Sequence, residues 1–118
     1  MSANPVKRVW HREYGDNYWP TVGNALTADQ NGSIYIAGKS RGDINGLTQD
    51  VHQNYQAFIG KIDSNGFSVW FDQFGDGGAA QAYALKIGAN NSVFVVGESD
   101  GHGGSFLSKY NPNGYKEW

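Results

Sequence analysis

Apolar and polar positions come in short bursts along this chain, and no stretch sustains the spacing of a helix. SIYIAG (33–38) and SVFVVG (92–97) hold apolar residues at consecutive positions, the pattern of a strand covered on both faces. Their flanks read as turns. DQNGS (29–33) and DSNGF (63–67) place Asn and Gly where a hairpin reversal needs positive φ. Bounded in this way, the bursts predict strands over 24–30, 33–38, 57–63 and 67–74, then over 83–88, 92–97, 105–110 and from 115 onward. A further strand of the 67–74 type is expected at 6–14.

The same words occur twice in the same order. VKRVWHREYG (6–15) aligns with FSVWFDQFG (67–75), NALTADQNGSIYIAG (24–38) with YALKIGANNSVFVVG (83–97), and AFIGKIDSNG (57–66) with SFLSKYNPNG (105–114). YKEW (115–118) then opens a third copy. Trp10 and Trp70 are 60 residues apart, Trp70 and Trp118 only 48, and the difference lies in the loop after Gly38. The basic unit is therefore near 48 residues, a period in the range of propeller blades. The expected organisation is a tail at 1–5, a first repeat at 6–66 with an inserted loop at 41–56, a second repeat at 67–114, and the start of a third at 115–118.

The succession of Trp, then YG or FG, then a D-x-N-G turn, IYIAG and AFIGKIDSNG resembles the bacterial seven-bladed beta-propeller repeat family (SBBP type), and more loosely NHL-type blades. The resemblance covers nearly the whole chain after residue 6. It implies four-stranded antiparallel blades around a central axis, in surface or secreted bacterial proteins, and it brings no catalytic set with it. Two units do not close a ring. The fold expected is all-β, two such blades per chain, completed into a ring by self-association. A trimer is favoured and a tetramer is the alternative, with the 6–14 strand of one subunit completing the second blade of the next. YKEW claims the same slot, and a slice of a longer propeller running past Trp118 is the competing picture.

Composition narrows the function classes. Glycine is abundant at 17 of 118 residues, against about 7% in ordinary proteins, which suits many tight turns. A net charge of −2 without a Lys/Arg cluster offers nothing to a phosphate backbone, so nucleic acid is not an expected partner. The absence of cysteine removes disulfides and thiol chemistry without fixing the compartment. MSANPVKRVW lacks the apolar core of a signal peptide, and no apolar run has the length of a membrane span.

Residues that recur in both copies belong to the blade; residues present once are freer for function. Trp10/Trp70/Trp118, Tyr14/Phe74, Tyr35/Phe94, Phe58/Phe106 and Lys61/Lys109 recur and read as packing. The unmatched residues fall in DNYWPTVG (16–23) and RGDINGLTQDVHQNYQ (41–56), loops that share one end of an antiparallel blade. They place Tyr18, Trp19, Arg41, Asp43, Asp50, His52, Asn54 and Tyr55 on one rim as candidate ligand-binding residues. Trp19 and Tyr55 beside Asp and Asn suit a sugar ring, which stacks its C–H face on an aromatic and hydrogen-bonds through its hydroxyls; plugging the loop base is the plainer use of Trp19. RGD (41–43) is an integrin-type tripeptide too short to carry an adhesion reading. DINGLTQD (43–50) has calcium-loop order but Asn54 where the bidentate acid belongs, so an Asx turn is favoured. His52 and His102 lack a third ligand at helpful spacing, and no metal or cofactor is expected. The expected function is a non-enzymatic binding module, possible ligands being a carbohydrate or a surface protein. An assembly element of a larger propeller, virion or cell-surface scaffold is the alternative, and a hydrolase or lyase using Asp43, Asp50 and His52 the weakest.

Overall fold

The computed structural model describes residues 7–15, 19–42, 44, 54–75, 78–100 and 103–118. Strands β1 (Thr21–Ala28), β2 (Ile34–Ser40), β3 (Gln56–Ile62) and β4 (Ser68–Phe74) form one antiparallel sheet in sequence order. Strands β5 (Ala80–Ile87), β6 (Val93–Ser99) and β7 (Gly104–Tyr110) form a second, and a single 3-10 turn at Ala89–Asn91 is the only helical element described. The chain is thus all-β, two propeller-like blades packed face to face. Among the described residues no helix is long and apolar enough to cross a membrane.

The turns fold by one device used three times. The Asp29 Oδ1 accepts the amides of Asn31 and Ser33, the Asp63 Oδ1 those of Asn65 and Phe67, and the Asn111 Oδ1 those of Asn113 and Tyr115. Each turn then needs one residue at positive φ, supplied by Gly32, Gly66 and Gly114. The β5–β6 turn uses Asn90 and Asn91 in the left-handed region instead.

Strands β1 and β5 both begin three residues before the expected starts of 24 and 83. Their ladders shift register between Gly23 and Ala25 and again between Ala82 and Ala84, and each strand runs on past that irregularity by three residues, Thr21–Gly23 and Ala80–Ala82. The strand expected at 6–14 does not form: the described residues 7–14 belong to no strand. They dock by side chains. The Trp10 indole N–H donates to the Ser64 carbonyl (3.3 Å), and the Tyr14 hydroxyl to that of Gly66 (3.1 Å). Trp70 of β4 treats the next turn in the same way, donating to the Pro112 carbonyl (3.0 Å). The arm therefore stands to the first blade as β4 stands to the second, and among the described residues no strand pairs with it. Residues 116–118 start a fourth strand on the second blade: Lys116 bridges Tyr110, and Lys109 exchanges backbone bonds with Glu117 and Trp118.

The main core lies between the blades, where Tyr35, Ala37, Ala57 and Ile59 meet Ala80, Ala82, Val93, Val95 and Tyr110. Trp70 stacks on Tyr110 at 5.9 Å between centroids, and the Tyr110 hydroxyl donates to Asp72 across the junction (2.6 Å). A second cluster of Ile44, Phe58, Ile62 and Phe71 covers the outer face of the first blade together with Tyr14. On the second blade the outer face is bare, with Val96 40% and Leu107 55% exposed. β6, expected to be covered on both faces, is covered on one among the described residues, where Val93 and Val95 are buried and Val96 is exposed.

Two buried phenols set an alkaline limit. Burial, then Asp29, pushes Tyr35 from 10.0 up to about 12, and burial followed by the Asp72 hydrogen bond pushes Tyr110 in the same direction. Folding holds these protons more tightly than the open chain does, so the stabilisation is whole below pH 10.0 and is lost as pH rises through about 12. Urea midpoints measured across that window should fall steeply, and Tyr35→Phe should flatten the fall.

Candidate functional site

The starts of β1, β3, β5 and β7 and the ends of β2, β4 and β6 share one end of the blades, as their registers require. One backbone bond joins the two sheets there, from the Ala80 amide to the Tyr55 carbonyl (2.9 Å), while the Asp100 amide, donating to the Ala79 carbonyl (2.8 Å), ties the second sheet's own loops together. The Asn24 side-chain amide adds a second link between the sheets, donating to the Ala82 carbonyl (2.9 Å). The rim is one continuous surface spanning both blades.

The long insertion leaves this rim from a buried knot. The Ser40 hydroxyl shares a hydrogen bond with Thr21 (2.8 Å) and donates to the Gly42 carbonyl (3.1 Å). Gln73 closes the knot, donating to the same carbonyl and accepting the Ile44 amide, both at 2.8 Å. Because Gln73 and Ile44 are buried, these bonds form away from competing water and hold the first residues of the loop firmly.

Next to the knot, cations alternate with aromatic rings. The Arg41 guanidinium lies 5.0 Å from the Trp19 ring and 5.9 Å from that of Tyr55, while the Lys39 ammonium sits 4.3 Å from the other end of the row, over Tyr55. Such contacts contribute roughly 0.5–1 kcal/mol each where water reaches them. Of the residues expected on this rim, the structure brings together Trp19, Arg41 and Tyr55. Asn54 is exposed beside them, while Tyr18, Asp43, Asp50 and His52 lie outside the described residues. Among the described residues no metal-binding group of three His, Cys, Asp or Glu side chains gathers.

A cavity of about 90 Å³ opens beside Tyr55 where the two blades meet, lined further by Lys39, Gln81, Glu98 and Asp100. Glu98 is held in place by the Tyr83 hydroxyl (2.6 Å) and the Gln81 side-chain amide (3.2 Å), both donating to Oε1. The Tyr83 bond, with help from Gln81 and the positive charge of Lys39, keeps the Glu98 carboxyl below the usual carboxylate range, and the same bond pushes the Tyr83 phenol up. The cavity thus presents an ammonium, two carboxyl-bearing side chains, an amide and one aromatic wall.

Lys39, Gln81, Glu98 and Asp100 were not among the residues picked from the sequence. Lys39 and Glu98 follow Gly38 and Gly97 in the repeated strand, and sorting by recurrence assigns that position to the scaffold. The available signal is a reversal of charge at a position otherwise repeated.

Residues 9–45, from the arm through β1 and β2 into the insertion, match the family model SBBP, described as a beta-propeller repeat. The match supports the resemblance read from the sequence. No curated protein matches it.

Proposed function

We propose that this chain is a non-enzymatic propeller-blade module that holds a small polar ligand at the loop end of the blades and associates with further copies of itself. The observation supporting the ligand reading is the junction cavity, where repeat-equivalent Lys39 and Glu98 supply opposite charges beside the Tyr55 ring. An aromatic wall with fixed hydrogen-bond donors and acceptors suits a carbohydrate. At about 90 Å³ the cavity is well below the ~300–1,000 Å³ of pockets that engulf drug-sized ligands. It would therefore receive one edge of a sugar, the rest lying along Tyr55, Arg41 and Trp19.

A glycan array followed by calorimetry tests this. Binding should fall about tenfold in Tyr55→Ala, in line with the ~1 kcal/mol or more of an aromatic stacking contact. Glu98→Gln should weaken it further while leaving the circular dichroism unchanged, since the Glu98 side chain is exposed. Retention of full affinity in both variants would move the ligand off this cavity. The second reading, an assembly element of a larger propeller or surface scaffold, is favoured by the bare apolar face of the second blade. On that reading the array would be blank while association persists.

A further inference from the structure

Asn-Gly occurs four times in the chain, at 31–32, 45–46, 65–66 and 113–114. Asn45 and Gly46 lie outside the described residues, and the other three pairs close the turns built on Asp29, Asp63 and Asn111. In such a pair the glycine amide nitrogen lies next to the asparagine side-chain carbonyl carbon, with no Cβ on the glycine to keep them apart. Each turn restrains this nucleophile. The Gly32, Gly66 and Gly114 amides donate to the carbonyls of Asp29 (3.2 Å), Asp63 (3.0 Å) and Asn111 (3.1 Å). Attack on the side chain therefore requires the turn to open locally and the peptide between Asn and Gly to swing over.

The three turns differ in what resists that opening. At 63–66 the arm binds three successive carbonyls: the Trp10 indole N–H donates to that of Ser64, the Arg12 guanidinium to that of Asn65 (3.3 Å) and the Tyr14 hydroxyl to that of Gly66. The Asn65 carbonyl belongs to the very peptide that must swing. Arg12 also lies over the rings of Trp10 (5.9 Å) and Phe67 (5.2 Å), and the Trp10 ring rests against Gly66, which is buried. At 111–114, Trp70 and Lys61 both donate to the Pro112 carbonyl, and the Trp70 ring rests against a half-buried Gly114. The 29–33 turn has neither device. Among the described residues no side chain donates to the carbonyls of Gln30, Asn31 or Gly32, a Cβ on Gly32 would meet only Ser64, and Asn31 and Gly32 are both exposed.

We propose that Asn31–Gly32 is a self-modification site, where the chain converts Asn31 to isoaspartate and aspartate, and that the arm, by tying down the 63–66 turn, guards Asn65 from the same reaction. The Gly32 amide gives its proton to solvent, and its nitrogen attacks Cγ of Asn31. The new N–Cγ bond closes a cyclic imide, the Cγ–Nδ2 bond breaks, and Nδ2 takes a proton from solvent and leaves as ammonia. Water then opens the imide. Opening at the backbone carbonyl leaves isoaspartate, whose main chain is longer by a carbon, and opening at Cγ leaves aspartate. A water is consumed and an ammonia released, with no change of oxidation state. Either product sets a new carboxylate beside that of Asp29, whose Oδ1 organises the turn through the Asn31 and Ser33 amides. Isoaspartate also spreads those amides apart, so the β1–β2 hairpin loosens at the end away from the rim.

Peptide mapping by mass spectrometry of the full chain, aged in mildly alkaline buffer, reads conversion at Asn31, Asn65 and Asn113 separately. Ageing in urea gives each rate without the fold. Measured against its own unfolded rate, Asn65 should react about tenfold more slowly than Asn31 or slower still, a difference of ~1.4 kcal/mol in local opening. Enzymatic methylation of isoaspartate should label the peptide holding Asn31 before that holding Asn65. Arg12→Ala and Trp10→Leu should each speed Asn65 severalfold and leave Asn31 and Asn113 as they were. Equal protection of Asn31 and Asn65 in the unmodified chain overturns the inference without recourse to any variant. The guarding role of the arm falls if Asn65 stays as slow in Arg12→Ala as before. It falls equally if all three sites quicken together in that variant, whose replaced side chain is exposed, since the protection would then be global.

Discussion

Gly38→Val should destabilise the chain by about 3 kcal/mol, the upper end of what overpacking costs. A Cβ on Gly38 would overlap the Val22 carbonyl oxygen, and one on Gly97 would overlap that of Gln81 and press on the Phe106 ring. Backbone atoms cannot step aside as the tip of a flexible side chain can. Both glycines sit opposite the register shifts of β1 and β5, at Gly23 and at Ala82, so relief would mean undoing the irregularity that lets β1 and β5 reach the rim. Gly23 faces open space, and Gly23→Ala should change stability by no more than about 0.5 kcal/mol. Thermal melts of the two variants should differ by roughly 10 °C or more, since a chain of this size loses about 4–8 °C per kcal/mol. Equal melting of Gly38→Val and the unmodified chain would mean that β1 and β2 do not approach as described.

The second large effect belongs to Trp70. Its ring stacks on Tyr110, meets Tyr35 edge-on at 6.1 Å and covers Gly114, while its indole N–H donates to Pro112. One side chain thereby ties β4 of the first blade to β6, β7 and the last turn through Tyr110 and the junction core. Trp70→Ala should cost about 3–5 kcal/mol, as large aromatic truncations do, and equilibrium urea unfolding would measure it. Trp118 holds the equivalent place, 6.2 Å from Phe94, but is 56% exposed. Trp118→Ala should cost about 1 kcal/mol or less, the fraction of burial scaling the loss. Tryptophans that are the same word in the sequence would thus differ severalfold in energy. If the two truncations cost the same, the junction core is not where the blades are held together.

That contrast shows how far the sequence was legible. Recurrence revealed the blades because stacking imposes the same packing at Tyr35 and Phe94 or Phe58 and Phe106, and the turns were readable because Asp29, Asp63 and Asn111 leave a local signature. The first three residues of β1 and β5 were not, because Thr21–Gly23 and Ala80–Ala82 read Thr-Val-Gly and Ala-Gln-Ala, too short and mixed to show an apolar rhythm. Strand pairing at 7–14 could not be judged either: its pattern is that of β4, and pairing depends on a neighbour that no local pattern reports. Of the rim, the aromatic loop residues Trp19 and Tyr55 stood out by being present once. Lys39 and Glu98 did not, since a repeat hides any function placed on one of its repeated positions.

In both sheets each strand's neighbour is the strand before or after it in sequence. Every hairpin closes a short loop except β2–β3, whose connection of 41–55 is about three times as long as the 29–33 turn. Tripling a flexible loop adds on the order of 1 kcal/mol of closure entropy. Such local pairing favours rapid folding, and the second blade, spared that long closure, has the shorter entropic climb. The insertion that enlarges the rim of the first blade therefore also sets its pace of assembly: β5–β6–β7 can form a sheet while β2 is still searching for β3.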